Sequence, residues 1–500
     1  MPKHKQPTLL QEMAFDLLVT HFVEYCQQQS SYQQNSRTLR ESIVLIKKQL
    51  FPRLPPNLSM ISDFCTRFFD AFQVSCWKGS SAVHRTNRDS YIAEALEMMM
   101  DVKILRLQCT QSHLYHLDHN DFHRFQGLQV LQIHTLSSIH VMPGVLGYFC
   151  LENLTELHLP KQCTNLDLKI IGSRCPLLQV LDINDSPDVD DEGLRALQPC
   201  SDLRVIDFCF LKVSNDGVNE LLSAHKKLEE FNVRITVRPR VYLGLDFDVL
   251  SRPKTLVCPS IKRYCILRLK PVTNAHLLAI VALFPNLIHL RIYDQLVGDL
   301  RILQKLERLK ELDLSDCTSR PRANNLRQLL TVKGENISSL GMKNLYRVGF
   351  YLTQSDLDFI YKFCKNIESL KFVYERQVWM DTLVVPPFPK LKILDVEARR
   401  FNNNGFPHHA VIQFGEMLQL EILRFENFGP TIKITESIMF DNVRFPNLKK
   451  VLCGEAEIDG ARRINKIARD NNLDFSMECQ PWLKTNWDRL GFLDTGWILH

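Results

Sequence analysis

Residues 175–194 read CPLLQVLDINDSPDVDDEGL, and the fold follows from this stretch. It contains a six-residue pattern, apolar-x-x-apolar-x-apolar, that begins at Leu178. Side chains alternate between the two sides of a β-strand, so the apolar residues are predicted to point into a core and Asp182 to point outward. Asp190 follows as an N-cap before an amphipathic turn. The stretch therefore predicts one short strand followed by one helix.

The same pattern recurs about every 26 residues along most of the chain. Self-similarity at such a period is typical of a solenoid, in which each repeat packs only on its neighbours. We therefore predict an α/β fold: a curved ladder of about fourteen parallel strands with outer helices. The copies begin at Val102, Leu128, Leu154, Leu178, Leu203, Leu228, Ile261, Leu287, Leu309, Ile337, Ile367, Leu391, Leu420 and Leu448, with a degenerate end near Leu473.

Polar residues before the helices predict where those helices begin. Ser214 and Thr273 each precede an apolar turn, and Ser355-Asp356-Leu357 shows the same arrangement. Side chains of this kind accept hydrogen bonds from the first free amides of a helix. We expect helix starts at these positions.

The joint before each strand resembles a known family. Cys175-Pro176-Leu177-Leu178 and the following Val189-Asp190-Asp191 are similar to the cysteine-containing class of leucine-rich repeats, and residues 284–287, 388–391 and 445–448 repeat the joint with Phe for Cys. The resemblance covers roughly residues 101–475. It implies a ribonuclease-inhibitor-like horseshoe and, because this repeat class is typical of F-box substrate receptors, a protein-binding role.

The composition of the chain excludes several classes of function. Net charge is +5 over 500 residues, too mild for a nucleic-acid-binding face. No apolar stretch approaches the roughly 20 residues of a membrane span, and the N-terminus lacks a signal-peptide core. Fifteen cysteines without such a signal are expected to be reduced and mostly buried, in the cytoplasm or nucleus. No zinc, phosphate-loop or hydrolase motif is present, so we expect no enzymatic activity and no cofactor.

Residues 1–100 lack the repeat and are predicted to form helices. Two adaptor-binding interpretations compete with a simple helical cap over the first repeat. The segment from Leu54-Pro55 to Leu58, followed by Cys76-Trp77, is similar to an F-box, which binds a Skp-like adaptor. The face formed by Leu10, Ala14 and Leu18 is similar to an elongin-binding box. Either box implies a cullin partner.

The 33-residue interval between Leu228 and Ile261 indicates a partner site. From residue 234 to residue 270 there are nine basic and two acidic residues. Arginine suits carboxylate and phosphate recognition, so the partner is expected to be an acidic or phosphorylated protein. A solvated loop is the alternative. Our candidate partner-binding residues are Arg234, Arg238, Arg240 and Arg263, with Arg291, Tyr293 and Lys371 at outward positions of neighbouring strands.

A histidine run and a tryptophan-rich tail complete the chain. His113, His116, His119 and His123 are spaced so that they could in principle gather zinc, but polar histidines on the convex side of the first interval between strands are the favoured explanation, and no metal site is predicted. Residues 476–500 hold three of the five tryptophans and are predicted to be a C-terminal cap or tail. The sequence thus favours a substrate-recognition subunit of a cullin-type ubiquitin ligase, with a free-standing scaffold or inhibitor-like binder as the alternative.

Overall fold

The computed structural model describes segments of the chain between residues 104 and 480. They form two compact units: described residues up to 267 together with residues 282–284, and the remaining described residues from 271 onward. The described segments are residues 104–109, 126–135, 145–159, 163–184, 186–209, 212–234, 257–267, 271–293, 296–314, 323–342, 352–375, 382–399, 411–426, 431–441, 443–454, 458–471 and 473–480.

Seven strands of the first unit form a parallel ladder in sequence order. Each strand begins two residues after the start of a predicted copy of the pattern, so the predicted ladder is confirmed here. The strands are β1 (Ile104–Cys109), β2 (Val130–Thr135), β3 (Glu156–His158), β4 (Val180–Asp182), β5 (Val205–Cys209), β6 (Glu230–Arg234) and β7 (Arg263–Leu267).

Short helices connect these strands, as the polar N-caps predicted. The first unit has a 3₁₀ helix (Val145–Tyr148), α1 (Asn165–Arg174), α2 (Asp191–Ala196) and α3 (Asn215–Ala224). Asp190 accepts from the first amides of α2, and Ser214 accepts from Gly217 N–H in α3. Neighbouring repeats also share their caps, because Ser214 Oγ donates to Asp191 Oδ2 at 2.6 Å. The caps therefore begin each helix and join it to the next repeat.

Eight strands of the second unit continue the same parallel arrangement. Its ladder contains β8 (His289–Tyr293), β9 (Glu311–Asp313), β10 (Ser339–Met342), β11 (Ser369–Glu375), β13 (Ile393–Arg399), β15 (Ile422–Glu426), β16 (Lys450–Gly454) and β17 (Ser476–Gln480). The degenerate copy near Leu473 thus supplies a strand of its own. With the first unit, every predicted copy of the pattern has a strand.

The intervals between these strands hold helices in most repeats and short strands in two. Helix α4 (Asn274–Leu283) precedes β8. The helices between the strands are α5 (Ala323–Lys333), α6 (Gln354–Phe363), α7 (Thr431–Met439) and α8 (Ile458–Asp470), with 3₁₀ helices at Leu300–Lys305 and Gly334–Asn336. In the other two intervals, β12 (Thr382–Val385) and β14 (Val411–Phe414) pair with each other as a separate parallel sheet. These two strands were not predicted.

Helix α6 begins earlier than its sequence suggested. Thr353, not Ser355, is the N-cap, and its hydroxyl accepts from Asp356 N–H while the Asp356 carboxylate accepts from Thr353 N–H. The carboxylate at Asp356 completes a reciprocal capping box that a cap at Ser355 would lose. The predicted cap at Ser355 is therefore wrong by two residues.

The apolar residues of the pattern form the core of each unit. Leu178, Leu181 and Ile183 are fully buried, as predicted, whereas Val180 and Asp182 between them are part-exposed. Burying a leucine side chain stabilises a fold by roughly 1.5–3 kcal/mol, and the pattern repeats this burial in every strand. The fold is thus the predicted α/β leucine-rich-repeat solenoid.

Cysteines occupy the joints before several strands. Cys175, Cys200 and Cys364 are fully buried, and none of the seven cysteines whose side chains the structure describes forms a disulfide. Cys200 Sγ donates to the Cys175 carbonyl at 3.5 Å, which links adjacent joints. These cysteines are small residues that fill the joint, and they are buried as predicted.

Candidate partner-binding surface

The side chains between the buried leucines line one side of each ladder. We call this side the strand face and define it by the residues two and four positions after the start of each pattern. In parallel strands in register, equivalent positions of successive repeats lie side by side, about 4.8 Å apart. Charged residues far apart in sequence are therefore neighbours on this face.

A buried histidine lies between two carboxylates on the first unit's strand face. His158 Nε2 lies 2.7 Å from Glu156 Oε1, and Nδ1 lies 3.4 Å from Asp182 Oδ2. Burial alone would lower the pKa of His158, but hydrogen bonds to the Asp182 and Glu156 carboxylates outweigh it and raise the pKa to about 9. The ring is therefore charged at neutral pH and holds both carboxylates in place.

Acidic residues continue along the next strand. Asp182 on β4 faces Asp207 on β5 in register, and Asp207 is 6% exposed. Asn184 follows Asp182 by two residues, and its backbone N–H donates to Asp182 Oδ1 at 3.0 Å. Its side-chain oxygen is buried and has no hydrogen-bond partner among the described residues. This part of the face presents mainly hydrogen-bond acceptors.

Basic residues at the end of the long interval are paired with acids of the preceding strand. Arg263 Nη1 lies 3.4 Å from Glu230 Oε2, and Lys262 Nζ lies 2.8 Å from Glu229 Oε2. Residues 235–256 and 268–270, which include six of the nine basic residues of the predicted cluster, lie outside the described residues. Arg263 thus reaches the first unit's strand face with a carboxylate already beside it.

The second unit's strand face holds two close ion pairs and one contact between a histidine and a carboxylate. Arg291 directs Nε and Nη2 onto Asp313 Oδ2, each at 2.6 Å, and both side chains are mostly buried. His289 precedes Arg291 by two residues on β8, and its Nδ1 lies 2.9 Å from Glu311 Oε2 on β9. Toward the end of the ladder, Lys450 Nζ lies 2.8 Å from Glu478 Oε2.

Lys371 differs from these cations. It lies on β11 between Gly341 on β10 and Asp395 on β13, which share its register. Asp395 instead has Arg424 Nε at 3.9 Å, and Lys371 forms no ion pair or hydrogen bond with the described residues. Gly341 has no side chain that could pair with Lys371. Lys371 is therefore a cation available to a partner.

The structure describes only some of the predicted partner residues. Arg263, Arg291 and Lys371 lie on strand faces, the first in the first unit and the other two in the second. Arg234 and Tyr293 end strands β6 and β8, and only their backbone is described. The remaining predicted positions lie outside the described residues: Leu10, Ala14, Leu18, Leu54, Pro55, Leu58, Arg238 and Arg240, as does the histidine run from His113 to His123.

The acidic part of the first unit's strand face was not predicted. Glu156, His158, Asp182 and Asp207 all occupy the outward positions of the repeated pattern, so a signal was present. Lining up the outward positions of successive copies would have placed these residues side by side. Their burial, and the pKa that it helps to set for His158, depend on the folded packing.

No described helix combines the length and the apolar character that a bilayer crossing requires. Across the same described segments, no group of three histidine, cysteine or acidic side chains is arranged to hold a metal ion. Burial raises the pKa of the Cys175 thiol to about 12 and that of Cys364 to about 12. Such thiols are poor nucleophiles, because the thiolate is the reactive form.

Comparison with known proteins finds distant similarity to solved structures. No protein-family model matches the chain, and no curated protein matches it. The TLR13–ssRNA13 complex has 15% identity and a TM-score of 0.37, and the match covers 72% of this chain and 54% of that one. The Rad7–Elc1 complex of yeast has 12% identity and a TM-score of 0.38, and the match covers 84% of this chain and 93% of that one. A leucine-rich-repeat protein of Leptospira interrogans has 14% identity and a TM-score of 0.31, and the match covers 71% of this chain and 98% of that one.

Proposed function

We propose that this chain is a protein-binding subunit that captures an acidic or phosphorylated protein on its strand face. We further propose that residues 1–100 couple it to a cullin-type ubiquitin ligase. One observation supports the first part above all. Lys371 is a part-buried cation without a partner among the described residues, on a face whose other described lysine and arginine side chains are paired with carboxylates.

The surroundings of Lys371 favour an anionic ligand group. Gly341, which shares its register, has no side chain, and Ser339 and Ser369, at the neighbouring row of the same strands, have short side chains with hydroxyl donors. A carboxylate or phosphate group that binds there would accept hydrogen bonds from the Lys371 ammonium group and from the nearby hydroxyls. Charge-assisted hydrogen bonds of this kind are roughly twice as strong as neutral ones.

The neighbouring ion pairs support specificity for the partner. Arg291 is held against Asp313, so its guanidinium group has a set direction when a partner arrives. Arginine held in this way loses less side-chain entropy on binding. Arg234, Arg238, Arg240, Arg263 and Tyr293 remain the proposed extension of the partner-binding surface.

The ligase connection is supported by the resemblance of Leu54-Pro55 to Leu58 to an F-box, and of Leu10, Ala14 and Leu18 to an elongin-binding box. Both lie outside the described residues. A Skp-like or elongin-like adaptor and a cullin are the partners that these boxes imply. The alternative remains a free-standing leucine-rich-repeat scaffold or inhibitor-like binder, whose first 100 residues only cap the first repeat.

Charge reversal tests partner capture. The full chain is purified from cells as wild type and as Lys371→Glu, and co-purifying proteins are quantified by mass spectrometry. We expect the variant to lose a defined acidic or phosphorylated partner by about tenfold or more, as truncating or reversing one of a close charge pair typically costs 2–5 kcal/mol. Lys466→Glu, an exposed reversal on α8, is the matched control and should keep the partner.

Unchanged capture by Lys371→Glu would reject this site. If the triple reversal of Arg238, Arg240 and Arg263 to Glu then abolished capture, the interval from residue 234 to residue 270 would be the site instead. Raising the salt concentration should weaken the wild-type interaction, since exposed charges are screened over about 8 Å at physiological ionic strength.

The ligase connection needs its own experiment. The same purification compares Leu54→Ala/Pro55→Ala with Leu10→Glu/Leu18→Glu. Loss of a Skp-like adaptor in the first double variant alone would support the F-box interpretation. Loss of an elongin-like adaptor in the second alone would support the elongin-binding box. Recovery of neither adaptor with the wild type would leave the scaffold alternative.

A further inference from the structure

We infer that His225 is an acid-sensitive switch in the first unit, and that protonation of its ring opens the joint before β6. This joint is the turn of residues 225–228 between α3 and β6. The His225 side chain is buried, with the residue 2% exposed, and neither Nδ1 nor Nε2 has a hydrogen-bond partner among the described residues. The inference concerns a conformational change and does not depend on the proposed partner-binding site.

His225 takes the place that cysteine has in the preceding joints. Its backbone N–H donates to the Leu221 carbonyl at 3.0 Å, and its carbonyl accepts from Leu228 N–H at 3.2 Å. Cys175 makes the two equivalent bonds at 2.8 and 3.2 Å. The backbone angles are also alike, with φ −100° and ψ 81° at His225 against φ −115° and ψ 64° at Cys175. The same backbone frame therefore holds an imidazole ring where other joints hold a thiol.

Burial has different consequences for the two kinds of side chain. Cys200 Sγ donates to the Cys175 carbonyl at 3.5 Å, and burial raises the pKa of the Cys200 thiol to about 11, so this thiol stays neutral. An imidazole is neutral with one N–H, but a proton gives it a charge and a second N–H. Burial lowers the pKa of His225, and the Cys200 carbonyl, which favours the charged ring, does not outweigh burial. The closed joint thus holds His225 in its neutral form.

The thiols on either side of His225 cannot stabilise a charged ring. Cys200 and Cys258, in the joints before β5 and β7, are buried, and burial raises the pKa of both. Lys226 and Lys227 follow His225 directly and are exposed cations. Neither a neutral thiol nor a lysine offsets a positive charge on the ring.

The acidic side chains of the surrounding segments do not offset that charge either. Those in the adjoining turns, on α3 and on β6 are exposed or part-exposed: Asp202, Asp216, Glu220, Glu229 and Glu230. Lys227 pairs with Asp202, and the other cations beside these joints are Arg204, Lys262 and Arg263, which pair with Glu229 and Glu230. Asp207 on β5 is buried but belongs to the strand face. Burial and the Cys200 carbonyl are the influences that set the pKa of His225.

A proton on His225 therefore places an uncompensated charge inside the joint. A buried charge without a partner is costly, and exposure of the ring to water removes that cost. The ring is attached to the turn that carries the Leu221 and Leu228 backbone bonds, so its exposure disturbs those bonds. Opening of residues 225–228 is the change that relieves the charge.

The direction of the pH effect follows from proton linkage. A histidine exposed to water has a pKa of about 6.5. Because the pKa of His225 is lower in the closed joint, the open joint binds more protons below about pH 6.5. Opening therefore increases as the pH falls through 6.5 and continues to increase until the pH reaches the pKa of the closed state. Above about pH 6.5 the proton has no such effect.

Amide hydrogen exchange on the full chain tests the inference. Exchange of residues 221–231 is followed by mass spectrometry at pH 7.5 and pH 5.5, and each rate is corrected for the intrinsic pH dependence of exchange. One pH unit below 6.5 the open population gains at most about tenfold, so we expect the corrected rate to rise by about threefold to tenfold. Residues 360–370, which include the joint of Cys364 with the same two backbone bonds, are the internal control. Their corrected rate should change by less than about twofold, since a cysteine does not titrate in this range.

Two substitutions assign the effect to the histidine ring. His225→Phe places there the residue found at Phe284, which lies three residues before Leu287 and is fully buried. His225→Cys restores the residue of the other joints and serves if the first variant does not fold. In either variant the rise at residues 221–231 should fall below about twofold. His289→Gln removes a histidine from the second unit and should keep the wild-type rise.

Three results would overturn the inference. The first is a rise of less than about threefold at residues 221–231 of the wild type. The second is an equal rise at residues 360–370, which would mean general unfolding in acid. The third is a folded His225 variant that keeps the rise. Partner capture through Lys371 is measured separately, so failure of the switch leaves the proposed function unaffected.

Discussion

His158 owes its charge to two neighbouring carboxylates. Burial disfavours the imidazolium, yet the hydrogen bonds with Asp182 and Glu156 raise the pKa to about 9. A folded-state pKa above the unfolded value of about 6.5 means that folding is favoured by proton binding. The contribution of His158 protonation to the free energy of unfolding is complete below about pH 6.5 and is lost as the pH rises through about 9.

Replacement of His158 should therefore remove a pH-dependent part of the stability. We expect His158→Gln to lower the free energy of unfolding by roughly 3 kcal/mol at pH 6, since a tenfold change in proton affinity corresponds to about 1.4 kcal/mol. Above about pH 9 the difference from wild type should shrink. Urea unfolding followed by circular dichroism at both pH values measures it.

Glu192→Gln serves as the control for this measurement, because its ion pair with Lys169 is exposed. Its stability should follow wild type at both pH values. A pH-independent effect of His158→Gln would mean that the histidine contributes through packing alone.

At the scale of single elements, the caps decide where helices begin. Thr353 and Asp356 satisfy each other's backbone amides at the start of α6, while Ser355 is exposed inside the first turn. Four amides at a helix start lack partners within the helix, so a residue that satisfies one stabilises the whole element. The cap has to precede the carboxylate by three residues for both bonds to form.

This arrangement predicts unequal effects of two alanine substitutions. Thr353→Ala should lower the free energy of unfolding by about 1 kcal/mol, the usual cost of losing an N-cap. Ser355→Ala should change it by about 0.5 kcal/mol or less, as expected for an exposed residue. Urea unfolding of both variants measures the difference, and an equal cost would place the cap at Ser355 after all.

The short strands β12 and β14 also belong to the scale of elements. Their sequences, TLVV and VIQF, are rich in β-branched and aromatic residues. Such runs are too short to distinguish a strand from an irregular segment by periodicity. The Gln354 side chain on α6 accepts a hydrogen bond from Val384 N–H at 3.0 Å and donates one to the Val384 carbonyl at 2.9 Å. These two bonds satisfy backbone groups on one edge of β12. This contact exists only in the folded chain.

At the scale of the whole molecule, the cysteines test the packing of many repeats together. Six of the seven cysteines with described side chains are buried, and Cys150 is part-exposed. A short iodoacetamide pulse on the native chain, read by mass spectrometry, should label Cys150 well before Cys175, Cys200 or Cys364. Alkylation needs the thiolate, and burial raises the pKa of those three thiols to about 11–12.

Labelling in urea supplies the control, since all of these cysteines should then react alike. Native labelling of the joint cysteines at the rate seen in urea would mean that the repeats open readily. A native disulfide found without reductant would contradict the expected reducing compartment.

The strand ladder follows from the sequence alone. The pattern is specific because strand side chains alternate with a period of two, so a shift of one residue would expose every buried leucine. For this reason the strand starts followed from the positions of Leu178 and its equivalents. The starts of α2, α3 and α4 followed from their caps for the same local reason.

Which charges are satisfied depends instead on the folded packing. His158 and Asp182 are 24 residues apart, and Arg291 and Asp313 are 22 apart, yet each pair is in contact. Register brings such positions together, but burial and distance set the strength of the pair and the pKa of its members. Lys371 looks like any other lysine in the sequence, and only the packing of β10, β11 and β13 leaves it without a carboxylate.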